Sequence, residues 1–193
     1  MYFKKSIRVA SLFLAAALLL ALAACGGKAG KSNNALQARF TALYESDALA
    51  DMLAQPDQYA EDIAAYALED FAGTFADADG FRSYTVEIGL KNANDFDVQI
   101  LNVQMDAKNQ GKDGVWFSTL NEAGTIGLPA QYDGDEAMYY YAIADAALSK
   151  EDVLRTLGGM GITCVYMQGS EAPDLDAQPD PALLFTGDIL YAE

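Results

Sequence analysis

The sequence predicts an α+β fold in which an N-terminal helical hairpin is followed by an antiparallel β-sandwich with one inserted helix. Three observations lead to this prediction. Apolar residues recur at helical spacing over residues 35–75, they alternate with polar residues in several segments of residues 80–193, and one amphipathic helix interrupts those segments. Alternating strands with polar turns between them are typical of antiparallel sandwiches.

Residues 35–75 are predicted to form two short amphipathic helices joined by a turn. Pro56 interrupts the apolar pattern, because proline disfavours helix at the residue before it. Asp57 is placed to cap the second helix, and Gly73 is its expected end. The predicted apolar stripes are Leu36, Phe40, Leu43 and Tyr44 in the first helix and Tyr59, Ile63, Tyr66 and Phe71 in the second.

Residues 80–193 are predicted to form the strands of the sandwich. Residues 84–90 alternate in polarity, and a polar turn at 92–95 leads into a second strand, so we expect these two strands to form a hairpin. The apolar phase slips between Ile100 and Leu101, which indicates a β-bulge. Further strands are expected at 115–120, 138–144, 161–167 and 183–191.

The inserted helix is expected to start at Ser149, with Asp152 three residues on as a variant capping box. Its apolar face would comprise Val153, Leu154 and Leu157, with Gly158 at its end. The strand pattern around it resembles that of immunoglobulin-like domains. That resemblance is architectural and implies a two-sheet sandwich.

The first 24 residues have the three parts of an export signal. A short basic start precedes an apolar run at 9–21, which is shorter than the roughly 20 residues needed to span a bilayer. Small residues then lead to a cysteine in the sequence Leu22-Ala23-Ala24-Cys25.

This LAAC sequence resembles the lipobox of bacterial lipoproteins. The resemblance implies that the Cys25 thiol is diacylglyceryl-modified and that a type II signal peptidase cuts between Ala24 and Cys25. The lipid would anchor the mature protein at the extracytoplasmic face of the cell membrane. The alternatives are an ordinary cleaved signal with a coincidental cysteine, or an uncleaved anchor. Residues 25–34 are small, polar and rich in glycine, and we expect a flexible tether there.

The charge of the chain limits its partners. The formal net charge is −16, and because three basic residues and no acidic ones precede Cys25, removing the leader would leave −19. Such a surface repels nucleic acid and anionic lipid headgroups. We therefore expect no nucleic-acid partner and a membrane attachment that depends on the lipid. The other cysteine, Cys164, lies in an apolar run and is expected to be a buried, inert thiol.

Catalytic and metal-binding signatures are missing from the sequence. It contains no histidine, which removes the commonest general base and the commonest zinc ligand. Two Asp/Gly segments, 77–80 and 133–136, imitate part of a calcium loop but lack its first and last ligands, and they fit turns better. We expect a non-enzymatic protein without a cofactor or a specific metal site.

Aromatic residues are the remaining candidates for ligand binding. Trp116, Tyr132, Tyr139 and Tyr141 could line a platform for sugars or peptides. On a strand, Tyr139 and Tyr141 would face one way and Tyr140 the other, so at least one of these faces should belong to the core.

Together these observations predict a membrane-anchored surface lipoprotein that binds a protein or glycan partner or has a structural role at the cell envelope. One alternative is a ligand-capturing lipoprotein associated with a transporter, which a deep cleft between two lobes would favour. The other is a carbohydrate-active hydrolase, which two carboxylates beside Trp116 would favour.

Overall fold

The described part of the chain folds into one curled β-sheet with four short helices packed against it. The computed structural model describes residues 31–32, 35–120, 124–171 and 183–191, so the predicted leader and Cys25 lie outside the described residues. The strands are β1 (Lys31–Ser32), β2 (Leu36–Ser46), β3 (Phe81–Asn92), β4 (Val98–Gln104), β5 (Val115–Phe117), β6 (Ile126–Leu128), β7 (Tyr132–Asp145), β8 (Thr163–Gln168) and β9 (Leu184–Tyr191). The helices are α1 (Ala48–Ala54), α2 (Ala60–Ala64), α3 (Phe71–Thr74) and α4 (Lys150–Gly158).

The sheet is continuous and mixed, with the strand order β5-β7-β3-β2-β9-β8-β4-β6 and β1 beside β9. Strand β9 runs parallel to β1 and β2, with Ala38 opposite Ile189, and the other pairs are antiparallel. The predicted antiparallel sandwich and its immunoglobulin-like resemblance are therefore wrong. The pairing of β2 with β9 joins the two halves of this order into one sheet. The sheet encloses the core by curling around it, whereas a sandwich would stack two separate sheets face to face.

The predicted N-terminal helical hairpin over residues 35–75 is also wrong, because its first half is strand β2. A register shift between Phe40 and Ala42 interrupts the pairing of β2 with β3. Residues 36, 38 and 40 point into the core before this bulge, and Leu43 points into it afterwards. The buried positions 36, 40 and 43 are thus spaced by four and then three residues, which imitates the spacing of a helix.

The rest of that region folds as three very short helices: α1 in place of the end of the first predicted helix, and α2 and α3 in place of the second. Asp57 does not cap α2, which begins after Tyr59 without a side-chain capping bond. Gly73 lies inside α3, where its backbone N–H donates to the Asp70 carboxylate at 2.8 Å. At the other end, Lys31–Ser32 pair with β9, so the expected tether of 25–34 includes a strand.

The expected hairpin of β3 and β4 does not form. Strand β3 pairs with β2 and β7, whereas β4 pairs with β6 and β8. The chain leaves β3 through the buried Asn92, whose amide donates to the carbonyls of Phe96 at 2.9 Å and Pro129 at 2.8 Å. The predicted bulge in β4 is confirmed by a register shift between Ile100 and Asn102.

The concave face of the sheet and helix α4 enclose the main core. The predicted cap of α4 is confirmed: the Ser149 hydroxyl accepts a hydrogen bond from the Asp152 N–H at 3.2 Å. Val153 and Leu157 are buried against the sheet, as the sequence predicts. Cys164 is also buried there, and burial raises the pKa of its thiol to about 12, which keeps it protonated and unreactive.

A second hydrophobic cluster lies on the opposite, convex face of the sheet. Its buried members are Leu49, Met52, Tyr66, Phe71, Phe75 and Ile143, and Phe81 and Trp116 pack against them. The helices α1 to α3 are too short to persist alone, so this cluster holds them on the sheet. They cover one end of the convex face and leave the rest open.

Candidate functional site

The three consecutive tyrosines of β7 alternate across the sheet as the sequence predicts. Tyr140 is 1% exposed and belongs to the main core. Tyr139 and Tyr141 lie on the convex face, where Tyr139 is 55% exposed and Tyr141 is half-buried. Two of the four residues considered for an aromatic platform are therefore neighbours on an accessible surface.

The other two candidate residues lie elsewhere. Trp116 is packed in the second cluster, with ring centroids 5.1 Å from Phe75 and 5.5 Å from Phe81 in edge-to-face geometry. Tyr132 is half-buried against the main core at the far end of β7. The structure thus brings together Tyr139 and Tyr141 but neither Trp116 nor Tyr132 with them.

Beside Tyr139, on the open part of the convex face, the carboxylate of Glu87 is the centre of a group of hydrogen-bonded side chains. Glu87 accepts hydrogen bonds from the Thr41 hydroxyl at 2.7 Å and the Tyr44 hydroxyl at 2.9 Å, and the Tyr139 hydroxyl lies 3.5 Å away. The bonds from Thr41 and then Tyr44 lower the pKa of Glu87, while the bond to Glu87 raises the pKa of Tyr44. We call these four residues the Glu87 cluster.

A pocket of about 420 Å³ lies between the short helices and the convex face. Tyr141 contributes to its wall, together with Thr85 opposite it on β3. Because Tyr44 of the Glu87 cluster pairs with Thr85, the cluster and the pocket adjoin across three strands. The volume is in the range of small-molecule sites, roughly 300–1,000 Å³.

Three carboxylates give the pocket its charge: Asp47 and Asp51 at the start of α1, and Asp62 on α2. No lysine or arginine is among its lining residues. Among the described residues, none of the three carboxylates takes part in an ion pair. The pocket therefore has a negative potential that its own walls do not neutralise.

Two pocket-lining residues, Tyr66 and Ser46, have buried hydroxyl groups that find no hydrogen-bond partner in the described part of the chain. Tyr66 is 1% exposed, and burial, with a smaller contribution from the Asp62 charge, raises the pKa of its phenol far above the usual value. A buried hydroxyl without a partner costs about 1–3 kcal/mol. Because both oxygens are shielded from solvent, they offer no hydrogen bond to a ligand in the open pocket.

The sequence analysis named Tyr141 but missed the acidic residues of the pocket. With 28 acidic residues in the chain, no pair stood out. The available signal was local: Asp47 and Asp51 are four residues apart at the start of a helix and share one face of it. Bringing Asp62 beside them requires the helices to dock on the convex face, which no local pattern shows.

Within the described part of the chain, no three His, Cys, Asp or Glu side chains converge in the way that metal ligands do. The two segments that imitate calcium loops are a 3-10 turn at Ala78–Gly80 and a strand position where Asp133 pairs with Lys91. None of the described helices combines the length and the apolar character needed to cross a membrane. Comparison with known proteins finds no family model that matches the sequence and no curated protein with significant similarity to it.

Proposed function

We propose that this protein is a non-enzymatic binding protein, held by a lipid on Cys25 at the extracytoplasmic face of the cell membrane. The observation that carries the anchoring is the sequence Leu22-Ala23-Ala24-Cys25 directly after a basic and then apolar leader. The net charge of −19 left after cleavage supports it, because so anionic a domain has no electrostatic hold on lipid headgroups.

The start of the sheet limits how far the domain would stand from its anchor. Strand β1 begins at Lys31, six residues after Cys25. Even a fully extended chain spans about 3.5 Å per residue, so β1 would begin within about 20 Å of the lipidated residue. The start of the sheet would therefore lie close to the membrane.

The pocket supports the binding role. It combines a small-molecule volume with three carboxylates that form no ion pair among the described residues. The second candidate, a lipoprotein that captures a ligand for a transporter, lacks the cleft between two lobes that would favour it. In the described residues, the pocket lies on one face of a single sheet.

Anchoring is tested by growing cells that express the protein with radiolabelled palmitate and separating membranes from soluble fractions. We expect label and membrane association in the wild type and neither in Cys25→Ala. The matched control is Cys164→Ala, which changes the other cysteine and should retain both. Label that persists in Cys25→Ala, or a wild type found unlabelled in the soluble fraction, would overturn the proposal.

A further inference from the structure

We propose that the open part of the convex face, centred on the Glu87 cluster, binds a neutral oligosaccharide. This inference rests on the proposed binding role and gives that role a surface and a ligand class. The observations behind it are two exposed tyrosines whose hydroxyls converge on one carboxylate, an exposed arginine beside them, and a floor of small residues between.

Two aromatic rings of the cluster are both exposed and held in place. Tyr44 is 51% exposed and Tyr139 is 55% exposed. The Tyr44 hydroxyl donates to Oε2 of Glu87 at 2.9 Å, and the Tyr139 hydroxyl lies 3.5 Å from the same oxygen. Because both hydroxyls are directed at the carboxylate, much of the exposed area is ring surface. Tyrosine rings offer rigid contact area at a low cost in conformational entropy, and the C–H groups of a sugar ring pack on such a surface through dispersion.

The polar groups of this face can both accept and donate hydrogen bonds. An ionised carboxylate has about four lone-pair sites, and the bonds within the cluster use only part of those of Glu87. The hydroxyl oxygens of Thr41 and Tyr44 donate to Glu87 and keep lone pairs that can accept. Arg39 supplies donors: it is exposed, lies opposite Gly89 of β3, and takes part in no ion pair among the described residues. Sugar hydroxyls donate and accept at once, so this set of side chains complements them.

The shape of the face suits a ligand that lies across it. Gly89 and Ala137 are paired across β3 and β7, and because neither has a side chain beyond Cβ, they leave a low floor between Arg39 and Tyr139. Strands lie about 4.8 Å apart and rise about 3.4 Å per residue. The surface from Gly89 to Thr85, taken across β2, β3 and β7, therefore measures about 14 Å by about 10 Å. This is longer than one sugar ring, which favours an oligosaccharide over a monosaccharide.

Side chains, and not the backbone, would make the contacts with the ligand. Extended peptides are commonly recognised by pairing with the edge of a sheet. The Glu87 cluster lies instead on a sheet face, where β3 is paired on both sides, with β2 and with β7. The net charge of −16 disfavours an acidic glycan. A neutral oligosaccharide is the ligand that fits both the side chains and the charge.

The test is titration calorimetry of the full chain, purified in a detergent without a sugar headgroup. The probes are four neutral trisaccharides: cellotriose, laminaritriose, maltotriose and chitotriose. We expect saturable binding of at least one of them at one site per chain. Tyr139→Ala should weaken that binding about fivefold or more, because it removes one of the two exposed rings. The control is Leu183→Ala, which truncates a side chain that is 54% exposed just before β9 and should leave the affinity unchanged.

A second pair of variants tests the carboxylate. Glu87→Gln keeps the shape of the side chain but removes its charge, so we expect an affinity about fivefold or more weaker, since hydrogen bonds to charged groups are the stronger ones. Glu69→Gln makes the same change at an exposed glutamate between α2 and α3 and should bind like the wild type. Circular dichroism should show all four variants folded at the titration temperature, so that a loss of binding reports on the surface.

Three results would overturn the inference. These are no saturable binding of any of the four trisaccharides, wild-type affinity in either Tyr139→Ala or Glu87→Gln, and a dimer in sedimentation that Tyr139→Ala dissociates, since a second copy of the chain would then occupy this face. The anchoring proposal would fail separately. Cys25→Ala should bind the same trisaccharide with wild-type affinity even though it leaves the membrane.

Discussion

Replacing Phe75 with alanine should detach the short helices from the sheet. Phe75 has no exposed surface, and its ring lies 4.8 Å from Phe71, 5.0 Å from Phe81 and 5.1 Å from Trp116 between centroids. Removing a buried phenylalanine side chain costs about 3–5 kcal/mol of unfolding free energy. Loss of three edge-to-face contacts places Phe75→Ala toward the upper end of that range.

The assay uses urea unfolding followed by the fluorescence of Trp116, which is the only tryptophan in the chain. Because Trp116 packs between the helices and the sheet, its emission reports directly on helix docking. We expect a lower unfolding midpoint in Phe75→Ala and a red-shifted native emission, because water reaches the indole. The pocket, which α1 and α2 help to form, should lose its shape at the same time.

The control for this experiment is Leu190→Ala, which truncates a side chain that is 50% exposed on β9. Substitutions at such positions stay within about 0.5 kcal/mol. The reasoning would be refuted if Phe75→Ala lost less than about 1 kcal/mol, or if Trp116 kept its wild-type emission. Either result would mean that the second cluster does not hold the helices in place.

Three further predictions concern other parts of the fold. Ser149→Ala should cost about 1 kcal/mol of unfolding free energy, measured in urea, through loss of the cap of α4. Asn92→Ala should cost at least about 2 kcal/mol, seen as a lower melting temperature, because it strips a buried donor from the carbonyls of Leu128 and Pro129. Stability should also fall as the pH rises from about 9 to about 12, because the unfolded Cys164 thiol ionises near 9 and the folded one near 12. The difference between the two pKa values corresponds to about 4 kcal/mol of unfolding free energy, which is fully present below pH 9 and is lost as the pH approaches 12.

Each of these predictions has a matched control. Ser170→Ala changes an exposed serine and should leave the midpoint unchanged. Gln58→Ala truncates an exposed amide side chain and should leave the melting temperature unchanged. Cys164→Ala should lessen the fall in stability between pH 9 and 12, although buried tyrosines with raised pKa values still contribute. A pH profile identical to that of the wild type would contradict the role of the thiol.

Local chemistry allowed several elements to be predicted from the sequence. The cap at Ser149, the bulge after Ile100 and the alternation of the tyrosines in β7 depend on residues within a few positions of one another. Most strands after residue 80 also showed the alternation that the structure bears out. Short-range patterns of this kind predict the structure correctly where the tertiary fold is consistent with the local preference of the chain.

The errors arose where distant parts of the chain decide the structure. In β2 a bulge spaces the buried Leu36, Phe40 and Leu43 as a helix would, and only pairing with β3 and β9 reveals the strand. The parallel contact of β2 with β9 joins segments about 150 residues apart and has no local signature. The pocket was missed for the same reason, since its carboxylates meet only after the helices dock.

The most direct test of the anchored binding protein proposed above is the intact mass of the protein extracted from membranes. We expect a chain that begins at Cys25 and is heavier than its amino-acid sequence by the mass of the attached lipid. A chain that begins at Cys25 with an unmodified thiol, or one that retains the first 24 residues, would contradict the account.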